Sequence, residues 1–139
     1  MGAWGTGNLE NDAAMDWLFD CESAGAEHLN ATLNQVVKNG VGNYLDADVG
    51  SMALAAAEVV AVAVGQPELS WAKYHQDQQA DCVPSGEVGR PQVELALSAI
   101  EIVASEKSEL FELWDETASK DEWLAVVRNL KGRLEAAVE

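Results

Sequence analysis

The strongest constraint on the fold is an apolar stretch of thirteen residues, 52–64, which is interrupted only by Glu58. Thirteen residues are too few to cross a bilayer. The run of alanines favours a helix, although the valine-rich half, 58–64, resembles a strand. Asp46 or Asp48 is placed to cap this helix, and Gly65 is placed to end it. A helix that is apolar on all sides is buried, so we predict that this one is the centre of the fold.

Further helices are predicted around this centre from apolar spacing and end signals. They span 13–21 after an Asn11-Asp12 cap, 26–38, 92–105 after Pro91, 106–116 and 120–138, with a short one over 67–79 and a loop at 81–91. The last helix carries one apolar stripe: Trp123, Val127, Leu130 and Leu134. The prediction is an all-α fold, a single compact bundle of about five to six helices. It forms one domain over 1–139 with 66–91 as a loop-rich connection.

The N-terminal segment combines glycines with a tryptophan in MGAWGTG, residues 1–7. Glycines allow tight turns and close backbone approach, so Trp4 is expected to fill a groove between helices in an ordered segment. A phosphate-binding loop is the alternative, but the spacing is not that of a dinucleotide or P-loop motif. Residues 1–20 lack a basic start and a clean apolar run, so no signal peptide is expected.

The chain is strongly acidic, with 24 Asp and Glu against 8 Lys and Arg and a formal net charge of −16. The excess is even along the chain, so the fold itself is acidic. Such a field repels nucleic acid and anionic membranes and attracts basic proteins. Direct nucleic-acid binding and membrane association are therefore not expected.

An acidic stripe is predicted near the C-terminus. Glu109, Glu112 and Glu116 are spaced to lie along one side of a helix, with Asp115 beside them. A solvated helix face is the simplest interpretation. Like charges at this spacing are mutually destabilising, however, so a docking surface for a basic protein is the functional alternative.

Glu58 is the second candidate, because a carboxylate in an apolar helix must reach water, find a partner or change its pKa. Arg90, Lys38 or a helix end could be that partner. A position at the rim of the bundle is the preferred interpretation, and a buried ion pair and a catalytic acid are the alternatives. With Trp4 and Trp17, Glu58 would line a candidate pocket.

No metal site, cofactor or catalytic residue is expected. The cluster from Tyr74 to Cys82, which includes His75, does not have the spacing of a known zinc site. Asp46-x-Asp48-x-Gly50 resembles the start of a calcium loop but has Ala57 where the bidentate Glu belongs, so helix capping is preferred. Cys21 and Cys82 are expected to be thiols in a reducing cytoplasm, with a disulfide as the alternative. Neither histidine, His28 or His75, has a convincing nucleophile beside it.

The opening MGAWGTG, the segment LEND at 9–12 and Asp16-Trp17 together resemble the bacterial family DUF4259, a domain of unknown function. The segments at 109–116 and 123–134 are similar to it more loosely, and Leu9 stands where the family commonly has Phe. The resemblance implies a small bacterial helical protein. It supplies no activity, ligand or catalytic residue.

The favoured hypothesis is a cytoplasmic, non-catalytic, acidic protein-binding module. It would act as an inhibitor or immunity-type protein on a basic partner such as a nuclease toxin, through Glu109, Glu112, Asp115 and Glu116. The alternatives are a small ligand-binding protein or enzyme with a pocket near Trp4, Trp17 and Glu58, and a DNA mimic. The oligomeric state is left open by the sequence.

Overall fold

The computed structural model of the chain describes residues 6–8, 10–39, 44–65 and 88–138, and over 22–26 the backbone alone. Within these ranges lie five helices: α1 (Asp12–Asn39), α2 (Ala47–Ala63), α3 (Arg90–Val103), α4 (Glu109–Asp115) and α5 (Lys120–Ala137). No strand is found in them, and an isolated parallel bridge joins Leu45 and Ser108. The predicted all-α bundle is confirmed.

Helix α2 lies at the centre, as its composition predicts. It packs against α1, α3, α4 and α5, and almost all of its residues from Gly50 to Ala61 are buried. The Asp46 carboxylate caps it by accepting hydrogen bonds from the backbone N–H groups of Asp48, at 2.9 Å, and Val49, at 3.4 Å. After the last turn Gly65 adopts a φ of +82°, which is easily reached only by glycine. The predicted start, end and burial of this helix are all confirmed.

Helix α1 corrects the prediction of two separate helices over 13–21 and 26–38, because it runs unbroken for 28 residues. It begins where expected, with the Asn11 side chain accepting from the Ala14 N–H at 2.8 Å. Gly25 costs the helix about 1 kcal/mol relative to alanine. The buried residues before and after it share one face of a continuous helix, among them Leu18, Cys21 and Leu29. Their common burial outweighs the local cost of the glycine.

Helix α4 is shorter than the predicted helix over 106–116. Ser108 is extended instead, at φ −100° and ψ 123°, because the chain pairs with Leu45 there. The Leu45 N–H donates to the Lys107 carbonyl and the Glu109 N–H donates to the Leu45 carbonyl, each at 2.8 Å. Ser108 then caps α4 by accepting from the Phe111 N–H at 3.3 Å. Helices α3 and α5 match their predicted ranges to within two residues at each end.

The core is formed by buried apolar residues from all five helices. The predicted stripe of α5 is confirmed, since all four of its members are buried. On α1, the apolar spacing of Met15, Leu18 and Phe19 predicts that all three lie on one apolar side of the helix. Phe19 departs from this prediction, because it is 67% exposed. None of the described helices has the length and apolarity needed to cross a membrane.

Several predictions lie outside the described residues. These are the groove-filling position of Trp4, the short helix over 67–79, most of the loop over 81–91, and the cluster from Tyr74 to Cys82.

Candidate functional site

The acidic stripe predicted for protein binding lies on α4 and its C-terminal cap, Glu116. Three of its four carboxylates are bonded to the protein itself. Glu109 accepts the Ala47 N–H at 2.8 Å, at the first turn of α2. Glu112 accepts the Tyr44 hydroxyl at 3.0 Å, and Asp115 forms an ion pair with Lys120. The stripe therefore holds the N-terminus of α2 and the start of α5, in addition to any external role.

These contacts change the proton affinity of two neighbours. Partial desolvation, the hydrogen bond to Glu112 and the negative charges of Glu112, Glu109 and Asp46 raise the pKa of Tyr44 above its usual value. The hydrogen bond and charge of Asp115, with Asp121 nearby, raise the pKa of Lys120 against a smaller opposing effect of desolvation. Both groups thus keep their protons more tightly in the folded chain. Loss of the proton would place a negative charge on Tyr44 beside these carboxylates. On Lys120 it would remove the positive charge that pairs with Asp115.

Glu58, the second candidate, is the centre of a buried polar network. Its side chain is only 5% exposed, and the Arg133 guanidinium of α5 binds it with two hydrogen bonds, at 2.8 and 3.1 Å. The Asn8 amide donates a further bond to Glu58 Oε2 at 3.0 Å. Asn129, one turn before Arg133, accepts from its Nε at 2.8 Å and holds the guanidinium in position. The network connects α2, α5 and the segment that precedes α1.

The rim position expected for Glu58 is wrong, and the buried ion pair is the correct alternative. The partner is neither Arg90 nor Lys38 nor a helix end. Arg90 pairs with Glu94 on its own helix, at the surface. Arg133 was missed because its contact with Glu58 depends on how α5 packs against α2. Its position between the buried Leu130 and Leu134 was the available signal.

Trp17 is 1% exposed and its polar atom is satisfied inside the bundle. The indole N–H donates to Thr32 Oγ1 at 2.7 Å, and the Thr32 hydroxyl donates to the His28 carbonyl at 2.9 Å. The His28 ring stacks on the indole with centroids 5.0 Å apart. His28 Nε2 is buried and has no hydrogen-bond partner among the described residues. Trp17 is thus a core residue with a satisfied donor.

A small cavity lies elsewhere, between the N-terminal segment, α2, α4 and α5. Its lining includes Asn8, Ser51, Leu110, Trp114 and Trp123 but neither Trp17 nor Glu58. Its volume of about 10 Å³ is room for a single water molecule. Asn8 Oδ1, which is buried and lacks a partner among the described residues, is suited to bond such a water. Trp4, the third member of the expected pocket, is outside the described residues.

Of the two sequence patterns that resemble metal sites, the one at 46–50 lies within the described residues. Asp46 caps α2, as preferred over the calcium-loop interpretation. No group of three or more potential metal-ligating side chains occurs within the described ranges. Cys21 is fully buried in the core, as expected for a thiol that packs as a small apolar residue.

The fold and its surface define a small, acidic, all-helical protein. The sequence profile of DUF4259, a domain of unknown function, matches residues 2–126, and the chain belongs to this family. The resemblance seen in the opening residues and in the acidic stripe is thereby confirmed. No curated protein and no solved structure matches the chain.

Proposed function

We propose that this protein is a non-catalytic acidic module that binds a basic protein in the bacterial cytoplasm. In this proposal it covers the basic surface of its partner, as an inhibitor or immunity-type protein covers that of a nuclease toxin. The observation that carries the proposal is that, in the described ranges, exposed carboxylates far outnumber the exposed cations that could pair with them.

The excess is seen once the internal ion pairs are subtracted. Sixteen carboxylates are exposed in the described ranges, and three of them belong to ion pairs: Glu94, Glu101 and Asp115. The exposed cations outside these pairs are Lys38, Lys107 and Arg128. Thirteen carboxylates thus face solvent against three cations. This imbalance attracts a basic protein and accelerates its association, most strongly at low ionic strength.

We assign to the exposed carboxylates of the α4 stripe the long-range attraction of the basic partner. Glu112, Asp115 and Glu116 are exposed, while Glu109 uses its carboxylate to hold the N-terminus of α2. Exposed charges at the rim of an interface act mainly on the association rate and its salt dependence. The stripe therefore increases the rate of encounter with a basic partner.

The chemistry of the buried groups favours binding over catalysis. Both Glu58 oxygens already accept hydrogen bonds from Arg133, and one accepts a third from Asn8. The His28 ring is stacked on Trp17. The cavity beside Asn8 has room for about one water molecule. A pocket for a substrate near Trp17 and Glu58 would have to displace these contacts.

The test is a capture experiment with the full chain as bait, in extract of the source organism, at about 50 and 500 mM salt. A charge variant, Glu112→Gln/Asp115→Asn/Glu116→Gln, serves as the matched bait. We expect a basic protein that is retained at low salt, released at high salt and recovered less well by the variant. The purified pair should then show association that slows as salt is added. Recovery of no basic protein, or of one whose binding is insensitive to salt, would contradict the proposal.

A further inference from the structure

The first three turns of α1 have an exposed face that carries both hydrophobic and acidic side chains. Phe19 is one of two exposed large hydrophobic residues in the described ranges, at 67% exposure. Met15, one turn before it, is half-buried against the core. Three exposed carboxylates, Asp12, Asp16 and Asp20, follow one another at intervals of four residues on the same side of the helix. Side chains three and four residues apart are neighbours on a helix, so Phe19 lies beside Asp16.

These three carboxylates differ from those of α4 in their bonding. Neither a hydrogen bond nor an ion pair joins their side chains to any described residue, whereas Glu109, Glu112 and Asp115 are all bonded internally. The basic residue in the last turn of α1 is Lys38. At 1.5 Å per residue it lies about 27 Å along the helix from Asp20, well beyond the screening length at physiological salt of about 8 Å. The negative charge of this face is therefore uncompensated from within its own helix.

We infer that this face of α1, defined by Met15, Phe19, Asp12, Asp16 and Asp20, is the surface on which the basic partner is anchored through arginine side chains. The inference rests on the proposed function and names the surface and the chemistry that it recognises. A guanidinium stacks flat on an aromatic ring and binds a carboxylate with two parallel hydrogen bonds. Phe19 supplies the ring, and Asp16 and Asp20 supply the carboxylates. An ammonium group matches this geometry less well, so arginine is preferred to lysine.

The test uses two synthetic helical peptides of about sixteen residues as probes, with leucine at the same positions and either arginine or lysine at all others. Their affinities for the purified full chain are measured by calorimetry at low and moderate salt. We expect the arginine peptide to bind more tightly. Replacing the exposed ring in Phe19→Ser should weaken that binding about tenfold or more. Asp16→Asn/Asp20→Asn should weaken it by a similar factor and reduce its salt dependence.

Two control variants separate this surface from general acidity. Tyr44→Ser removes the other exposed aromatic ring of the described ranges, which is 55% exposed, and Glu106→Gln/Glu135→Gln removes the same charge from exposed positions outside both α1 and the α4 stripe. Each should change the affinity by no more than about twofold, the level expected for residues outside the anchor. Equal losses in the α1 and control variants, or full affinity in Phe19→Ser, would overturn the inference while leaving the proposed function in place. Failure of the parent chain to bind either peptide or any basic protein at low salt would overturn both.

Discussion

Replacing Arg133 with Met is the most informative perturbation of the fold. The variant leaves the Glu58 carboxylate, whose side chain is 5% exposed, with one remaining donor among the described residues, the Asn8 amide at 3.0 Å. Removing one partner of a buried ion pair costs about 3–5 kcal/mol, because the other charge stays buried without compensation. That is a large part of the roughly 5–15 kcal/mol that stabilises a domain, and it corresponds to a fall in Tm on the order of 10–20 °C.

The loss is measured by urea unfolding, followed by circular dichroism and by tryptophan fluorescence. A double-mutant cycle with Glu58→Met isolates the pair from its surroundings. The double variant should recover most of the stability lost in Arg133→Met, since two apolar side chains leave no buried charge. Its deficit should be about 1–2 kcal/mol, which reflects the Asn8 amide left without an acceptor. The coupling energy should therefore exceed about 2 kcal/mol.

The matched control is Arg90→Met, which breaks an arginine–glutamate pair at the surface. There the two side chains are 71% and 62% exposed, and the expected loss is below about 0.5 kcal/mol. If Arg133→Met loses no more stability than this control, or the coupling energy is near zero, then Glu58 and Arg133 are not a buried pair and the description of the network is wrong.

Three further predictions concern single positions. Asp46→Ala should lose about 1 kcal/mol of stability in urea unfolding, and Asp46→Asn much less, because asparagine caps equally well; equal losses would show that the cap bonds do not matter. Gly132 is exposed on α5 with open space around it, so Gly132→Ala should stabilise the folded chain by about 0.5–1 kcal/mol. Gly65 has a φ of +82°, so Gly65→Ala should destabilise it. A change of the same sign at both positions would contradict the assigned backbone conformations. The tyrosinate absorbance of Tyr44, in a Tyr74→Phe background, should titrate above the usual tyrosine pKa and move back toward it in Glu112→Gln. Because the folded state holds this proton more tightly, its contribution to stability is present below the unfolded pKa of about 10 and is lost as the pH rises through the folded value; an unshifted titration would refute the Tyr44–Glu112 contact.

The helices themselves could be predicted from the sequence, because each has a local signal. The alanine- and valine-rich composition of α2, its Asp46 cap and the apolar stripe of α5 each identify an element without knowledge of its neighbours. The missed features depend on contacts between elements. The break predicted between 21 and 26 does not occur, because buried residues on both sides of it share one face of a continuous helix. The bridge between Leu45 and Ser108 shortens α4.

The candidate sites show the same limit. The carboxylate of Glu58 was identified from its apolar surroundings, but its partner Arg133 lies 75 positions away and is selected by the packing of α5 on α2. The acidic stripe of α4 was correctly placed on one helix, yet sequence spacing could not show that Glu109 and Glu112 are bonded to residues near the start of α2. For the same reason, only the structure shows that the carboxylates of Asp12, Asp16 and Asp20 on α1 are not bonded to other described residues.

The central claim, that an acidic helical module receives a basic partner on α1, is tested most directly by NMR. A titration of the ¹⁵N-labelled full chain with the arginine peptide should shift backbone amide signals over residues 12–20, centred on Phe19, with small changes in α4. Shifts centred on residues 109–116, or no saturable shifts at low salt, would contradict it.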